Sequence, residues 1–174
     1  MAQLSDESQQ NPSRSSGVSR YLGFDFGEKR IGIAIGQIIS GTASSTGTDS
    51  SSGTVSANPL QAVKNINGRP EWDEIAAFVE EWKPVALIVG LPLTEDGETQ
   101  RLTALAKSFA KHLRKRYQLP VHYCDERYSS NEASRIIADN RHHHNRRRAN
   151  REDHDTIAAA LILEQWLNDP SREN

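Results

Sequence analysis

The sequence predicts an α/β protein: a mixed sheet whose antiparallel first strands lead into βαβ units, with helices on its faces. Three observations carry this reading. Two strand-like runs, YLGFDF (21–26) and RIGIAI (30–35), flank the short turn Gly27-Glu28-Lys29, which is a hairpin signal. VALIV (85–89) is an unbroken apolar run between two segments of helical spacing, as suits a strand covered on both faces. IAAALIL (157–163) is apolar almost all round, the composition of a buried helix.

The elements follow in order. Residues 1–19 are rich in Ser, Gln and Asn and read as a disordered tail, with structure starting near Tyr21. After the hairpin, Ile38 and Ile39 suggest the start of a third strand. The Ser/Thr/Gly-rich stretch 44–58 cannot bury enough apolar surface to order itself and reads as a flexible insert. Pro59–Ile66 reads as a strand ending in the turn Asn67-Gly68-Arg69-Pro70. Trp72, Ile75, Ala76, Val79 and Trp82 give Glu71–Trp82 an amphipathic helix, stopped by Pro84. Leu102, Leu105, Ala106, Phe109 and Leu113 form one face of a second helix, Thr99–Tyr117. Val121–Cys124 is the last strand, closed by Asp125-Glu126-Arg127. A short helix is expected over Ser130–Ala138, then a basic loop over 141–151, the buried helix Thr156–Leu167 and a tail at 170–174. Residues 20–169 thus form one domain.

The 174 residues suffice for a single core. A net charge of −2 leaves local clusters to decide whether nucleic acid is bound. The one cysteine, Cys124, excludes an internal disulfide and fits a reducing compartment. No apolar run nears the ~20 residues that cross a bilayer, and the N-terminus lacks the apolar middle of a signal peptide. A soluble cytoplasmic protein is expected.

The chemistry starts at FDFG, 24–27. Asp25 is an acid inside an apolar strand, where a carboxylate needs a donor, a cation or a metal. Asp125 and Glu126 follow the last strand, and Asp155 opens the final helix. Ligands of open α/β sheets gather at strand carboxyl ends, so these acids can converge on one edge. Converging carboxylates repel one another and call for a divalent cation. Mg2+ or Mn2+ would be held by oxygen ligands there, and a pair of such ions ~3.5–4 Å apart clamps the attacking and leaving oxygens of a phosphodiester. Gly27 would let a phosphate backbone approach. Taken singly, each acid has a plainer role. Asp25 could pair with Lys29 or Arg30, Asp155 or Asp153 could cap the helix, and Asp125-Glu126-Arg127 could be a solvated loop. Their joint placement favours the metal site.

FDFGEKRIGIAIG, IVGLPLTEDGETQ, DERYSSNEA and DTIAAALILEQWL, in this order between Tyr21 and Leu167, resemble the four signatures of the YqgF (RuvX) family. The resemblance implies a ribonuclease H-like fold and a metal-dependent nuclease, a hydrolase that matures the 5′ end of precursor 16S rRNA in ribosomal particles. Holliday junction resolution on branched DNA is the alternative, with a monomer or a homodimer. Asp25, Glu126 and Asp155 fall on the family's acidic positions, and Asp125 is the neighbouring acid. The chain departs from the pattern in three places. Glu28 replaces a small hydroxyl residue, Asp153 replaces a lysine, and 44–58 splits the third-strand region.

The basic loop holds Arg141, Arg146, Arg147, Arg148 and Arg151 and no acid. Beside a metal centre it would guide a phosphate backbone inward. Three consecutive histidines, His142 to His144, make a poor coordination shell by themselves. Lys29, Arg30 and Arg127 are further candidates for phosphate contact, and the loop 91–101, with Arg101, is a weaker one. Cys124 and the tryptophans read as core. A non-catalytic RNA-binding factor is the reading from another class. A sugar-kinase-like ATPase would need a second phosphate loop and a second domain, which 174 residues do not provide.

Overall fold

The computed structural model describes residues 17–39, 54–66, 68–92, 97–125 and 151–169. In chain order the elements are β1 (Val18–Phe26), β2 (Arg30–Ile39), β3 (Thr54–Ile66), β4 (Arg69–Pro70), α1 (Trp72–Trp82), β5 (Ala86–Leu91), α2 (Gly97–Tyr117), β6 (Val121–Asp125) and α3 (Arg151–Asn168). The strands lie in the order β4-β3-β2-β1-β5-β6. β1, β2 and β3 pair antiparallel, whereas β5 joins β1 and β6 joins β5 in parallel. This is the mixed sheet expected from the sequence, with antiparallel first strands leading into parallel ones.

Several boundaries differ from the sequence reading, and the last helix begins at Arg151 rather than Thr156. β1 begins at Val18, paired with Ile39, rather than near Tyr21. Ile38 and Ile39 end β2 instead of starting a new strand, because β1 and β3 flank them on both sides and satisfy their backbone groups. β3 begins at Thr54, so the last five positions of the segment read as an insert are strand, opposite Ile35–Ile39. Composition hid this. Val55 and Ala57 pack against the helical layer while Thr54, Ser56 and Asn58 are exposed, a two-residue alternation within a low-complexity run. The rest of that insert, the expected helix Ser130–Ala138 and the basic loop as far as residue 150 lie outside the described residues.

The two faces of the sheet are built differently. Leu22, Phe24, Phe26, Ile31, Ile33, Leu87 and Val89 point to the face covered by α1 and α2, where they meet Ile75, Phe109 and Leu113. Phe109 is the hub, with ring centroids 5.7 Å from Phe24, 5.2 Å from Phe26 and 5.6 Å from Trp72. The Arg116 guanidinium covers the outer side of Trp72 at 4.4 Å. α1 ends where Lys83 turns left-handed (φ 46°) and donates its N–H to the Val79 carbonyl, just before Pro84.

On the opposite face, Ala34, Ile88 and Cys124 meet Ala159, Leu163 and Leu167 of α3. Here the strands expose glycine. A Cβ on Gly23 would lie 2.8 Å from Leu163 Cβ, and one on Gly36 would lie 2.6 Å from a Leu167 methyl. The helix rests almost on the sheet backbone. Cys124 is buried, as expected of a core residue. Among the described residues no helix is long and apolar enough to cross a membrane.

Candidate active site

Asp25 sits one residue before the end of β1, directly opposite Gly32 of β2. Opposed residues of an antiparallel pair share a face. Phe24 and Phe26 point to the α1/α2 side, so Asp25 and Gly32 share the α3 side. A Cβ on Gly32 would lie 1.9 Å from the Asp155 carbonyl oxygen and 2.9 Å from the Thr156 nitrogen. No side chain can stand there. The absence of one seats the start of α3 on the strand, with the Asp155 backbone next to the position across from Asp25.

α3 starts at Arg151, so Asp155 lies inside the helix and not at its cap. The capping role considered for Asp155, and for Asp153, does not apply. Its carboxylate instead accepts a 2.8 Å hydrogen bond from Arg30 Nε, an ion pair with each side chain about 30% exposed. Arg30 was expected to touch phosphate or the acids, and it is on an acid. Such a half-exposed pair contributes about 0.2–1 kcal/mol to stability. Its larger consequence is orientation, because it fixes where the Asp155 oxygens point.

The turn between β1 and β2 has its own architecture. Gly27 N–H donates to the Arg30 carbonyl at 2.9 Å, and a Cβ on Gly27 would come within 2.6 Å of that oxygen. The glycine is therefore required by the turn itself. The Gly27 carbonyl accepts a 2.7 Å bond from Asn65 Nδ2, and Asn65 N–H donates to the Lys29 carbonyl at 2.9 Å. Asn65, which the sequence reading passed over, thus ties β3 to the tip of the hairpin. A signal existed: asparagine is disfavoured within strands, and here it interrupts a strand pattern. Glu28, one of the departures from the family pattern, is exposed and reaches Arg101 only at 3.7 Å.

Among the described residues Asp25, Arg30 and Asp155 share the α3 face of the sheet, whereas Gly27 and Lys29 lie in the β1–β2 turn. For Asp125 only the backbone is described, as the last residue of β6, opposite Leu91. For Arg151 it is the first residue of α3. Glu126, Arg127, Arg141, Arg146, Arg147 and Arg148 lie outside the described residues. Among the described residues no three His, Cys, Asp or Glu side chains form a metal-binding group. Asp25 and Asp155 are hard oxygen donors on one face at one strand edge. They fit the Mg2+ habit of taking one or two carboxylates and completing its shell with water and substrate phosphate.

Residues 19–169 match the family described as RuvX, Holliday junction resolvase. A Legionella pneumophila (strain Paris) protein named "Putative pre-16S rRNA nuclease" is 42% identical over 147 residues, covering 84% of this chain and 94% of that protein. Proteins of the same name from Hydrogenovibrio crunogenus and Coxiella burnetii (strain Dugway 5J108-111) are 41% and 39% identical, covering 84% and 87% of this chain and 92% and 94% of their own. Among solved structures, T. thermophilus RuvC in complex with a Holliday junction substrate matches with a TM-score of 0.49 at 15% identity, over 82% of this chain and 91% of that one.

Proposed function

Because the chain belongs to the RuvX family, we propose that it is a metal-dependent nuclease that trims the 5′ end of precursor 16S rRNA in the cytoplasm. The observation that carries this reading is the seating of Asp155 on Gly32, beside the strand position opposite Asp25. Two acids 130 positions apart do not come to one edge through local structure, and a divalent cation would offset the repulsion between them.

Asp25, Asp155 and a third carboxylate would hold Mg2+ or Mn2+. We assign the third ligand to Glu126 rather than Asp125. Glu126 is the residue that falls on the family's acidic position, and Asp125 is its neighbour. Bound there, one or two such ions would supply charge neutralisation at the scissile phosphate and lower the pKa of the attacking water. Arg30 holds the Asp155 carboxylate in a single orientation. Gly32 keeps α3 close enough for that pairing to form. Arg127, Arg141, Arg146, Arg147, Arg148 and Arg151 would take the flanking phosphates. The departure at Asp153 removes one further cation from this edge.

The test is cleavage of precursor 16S rRNA, with and without Mg2+, by the native protein and by Asp25→Asn. We expect cleavage that requires the ion and falls by at least ~100-fold in the variant, with thermal stability retained. Full activity in Asp25→Asn would refute the assignment. The family description favours one second reading, resolution of a Holliday junction. A four-way DNA junction in the same assay separates the two, and symmetric nicking by a dimer would favour the second.

A further inference from the structure

A groove of about 580 Å3 opens on the other side of the β1–β2 turn, away from the carboxylates. Its floor is apolar, with Phe26 from β1 and Leu105 from α2. Its rim is cationic. Lys29 comes from the turn, Lys64 from β3 and Arg101 from α2, and all three are exposed. Glu28 also lines it, which leaves two net positive charges on the rim.

Asn65 is 2% exposed and lines the same groove. Its Nδ2 donates to the Gly27 carbonyl, so the amide cannot be flipped without setting two oxygens against each other. That leaves Oδ1 as the amide's acceptor, and among the described residues this buried oxygen has no hydrogen-bond partner. A buried acceptor left without a donor costs about 1–3 kcal/mol. It is retained at a place where cations and an apolar floor already converge.

We propose that this groove binds one nucleotide of an unpaired strand. The cations take its phosphate, the floor takes the flat face of the base, and Asn65 Oδ1 accepts a hydrogen bond from the base or from the ribose 2′-hydroxyl. An isolated phosphate would satisfy the rim but not the orphan acceptor, and an apolar ligand would satisfy only the floor. The nucleic-acid identity of the ligand rests on the nuclease reading; the groove itself does not. About two residues of extended chain, ~7 Å, separate Asp25 from Gly27. A strand held here would therefore lie just over the turn from the carboxylates.

The experiment is fluorescence anisotropy of a labelled eight-nucleotide single-stranded RNA with the full chain in EDTA, where no cleavage occurs. Lys64→Glu, at an exposed position, is expected to weaken binding about tenfold and to reduce the salt dependence. Lys107→Glu carries the same charge change on an exposed face of α2 outside the groove, and is expected to bind within about twofold of the native chain. Equal affinity of Lys64→Glu and the native chain would overturn the proposal. Two further strands locate the donor: loss of affinity with the 2′-deoxy strand assigns it to the sugar, and loss with an abasic ribose strand assigns it to the base. Undiminished binding of both would overturn the Asn65 contact. Cleavage by Asp25→Asn is measured separately, so failure of the groove and failure of the nuclease reading give different results.

Discussion

The two faces of the central sheet solve opposite problems. Against α1 and α2 the strands present Leu22, Phe24, Phe26, Ile31 and Ile33, and Phe109 fills the space between layers with three aromatic contacts. Against α3 they present Gly23, Gly32, Ala34 and Gly36, and the helix comes down almost to the strand backbone. The first face gains stability from apolar volume removed from water. The second gives up that volume for closeness. Thick side chains hold layers about 10 Å apart, a distance at which the Asp155 backbone could not touch β2. The thin face therefore positions the acids, and the thick face supplies most of the apolar burial.

This contrast can be broken from either side. Phe109→Ala should cost about 3–5 kcal/mol of stability, because a fully packed ring leaves a cavity. Chemical denaturation would read that loss, while cleavage per folded molecule stays near the native value. Gly32→Ala adds one methyl group at the other face. A loss of about 1–3 kcal/mol is expected from overpacking, together with loss of cleavage, since α3 must lift off the strand that carries its contact with Asp155. If Gly32→Ala cleaved normally, closeness at Asp155 would have no catalytic consequence and the contrast would reduce to packing alone.

Arg30→Met sharpens the comparison with a smaller effect. Without divalent ions the variant should lose about 0.2–1 kcal/mol, the range of a half-exposed ion pair. Added Mg2+ should raise its melting temperature more than that of the native chain, because no guanidinium then competes for the Asp155 oxygens. An identical Mg2+ response in the two proteins would mean that the ion does not use Asp155.

Much of the fold could be read from periodicity. The hairpin at Gly27-Glu28-Lys29, the run VALIV and the apolar spacing of α1 and α2 record local preferences, and the structure agrees with each. The reading failed where neighbours outweigh composition. Thr54–Asn58 looks too polar to order, but β2 satisfies its backbone groups and α3 covers Val55 and Ala57. Ile38 and Ile39 looked like a fresh start and instead complete β2 between two partners.

The site divides in the same way. Residue type and spacing are properties of one dimension, and they were enough to mark Asp25 as an acid in an apolar strand and Asp155 as an acid beside a buried apolar run. Three-dimensional packing made Gly32 the seat of α3, paired Arg30 with Asp155, and set Asn65 to close the hairpin with one oxygen that has no partner among the described residues. Those contacts join residues 38 to more than 120 positions apart. Their partners are chosen by strand register and by how near two layers can come, and neither quantity is written in any local stretch of the chain.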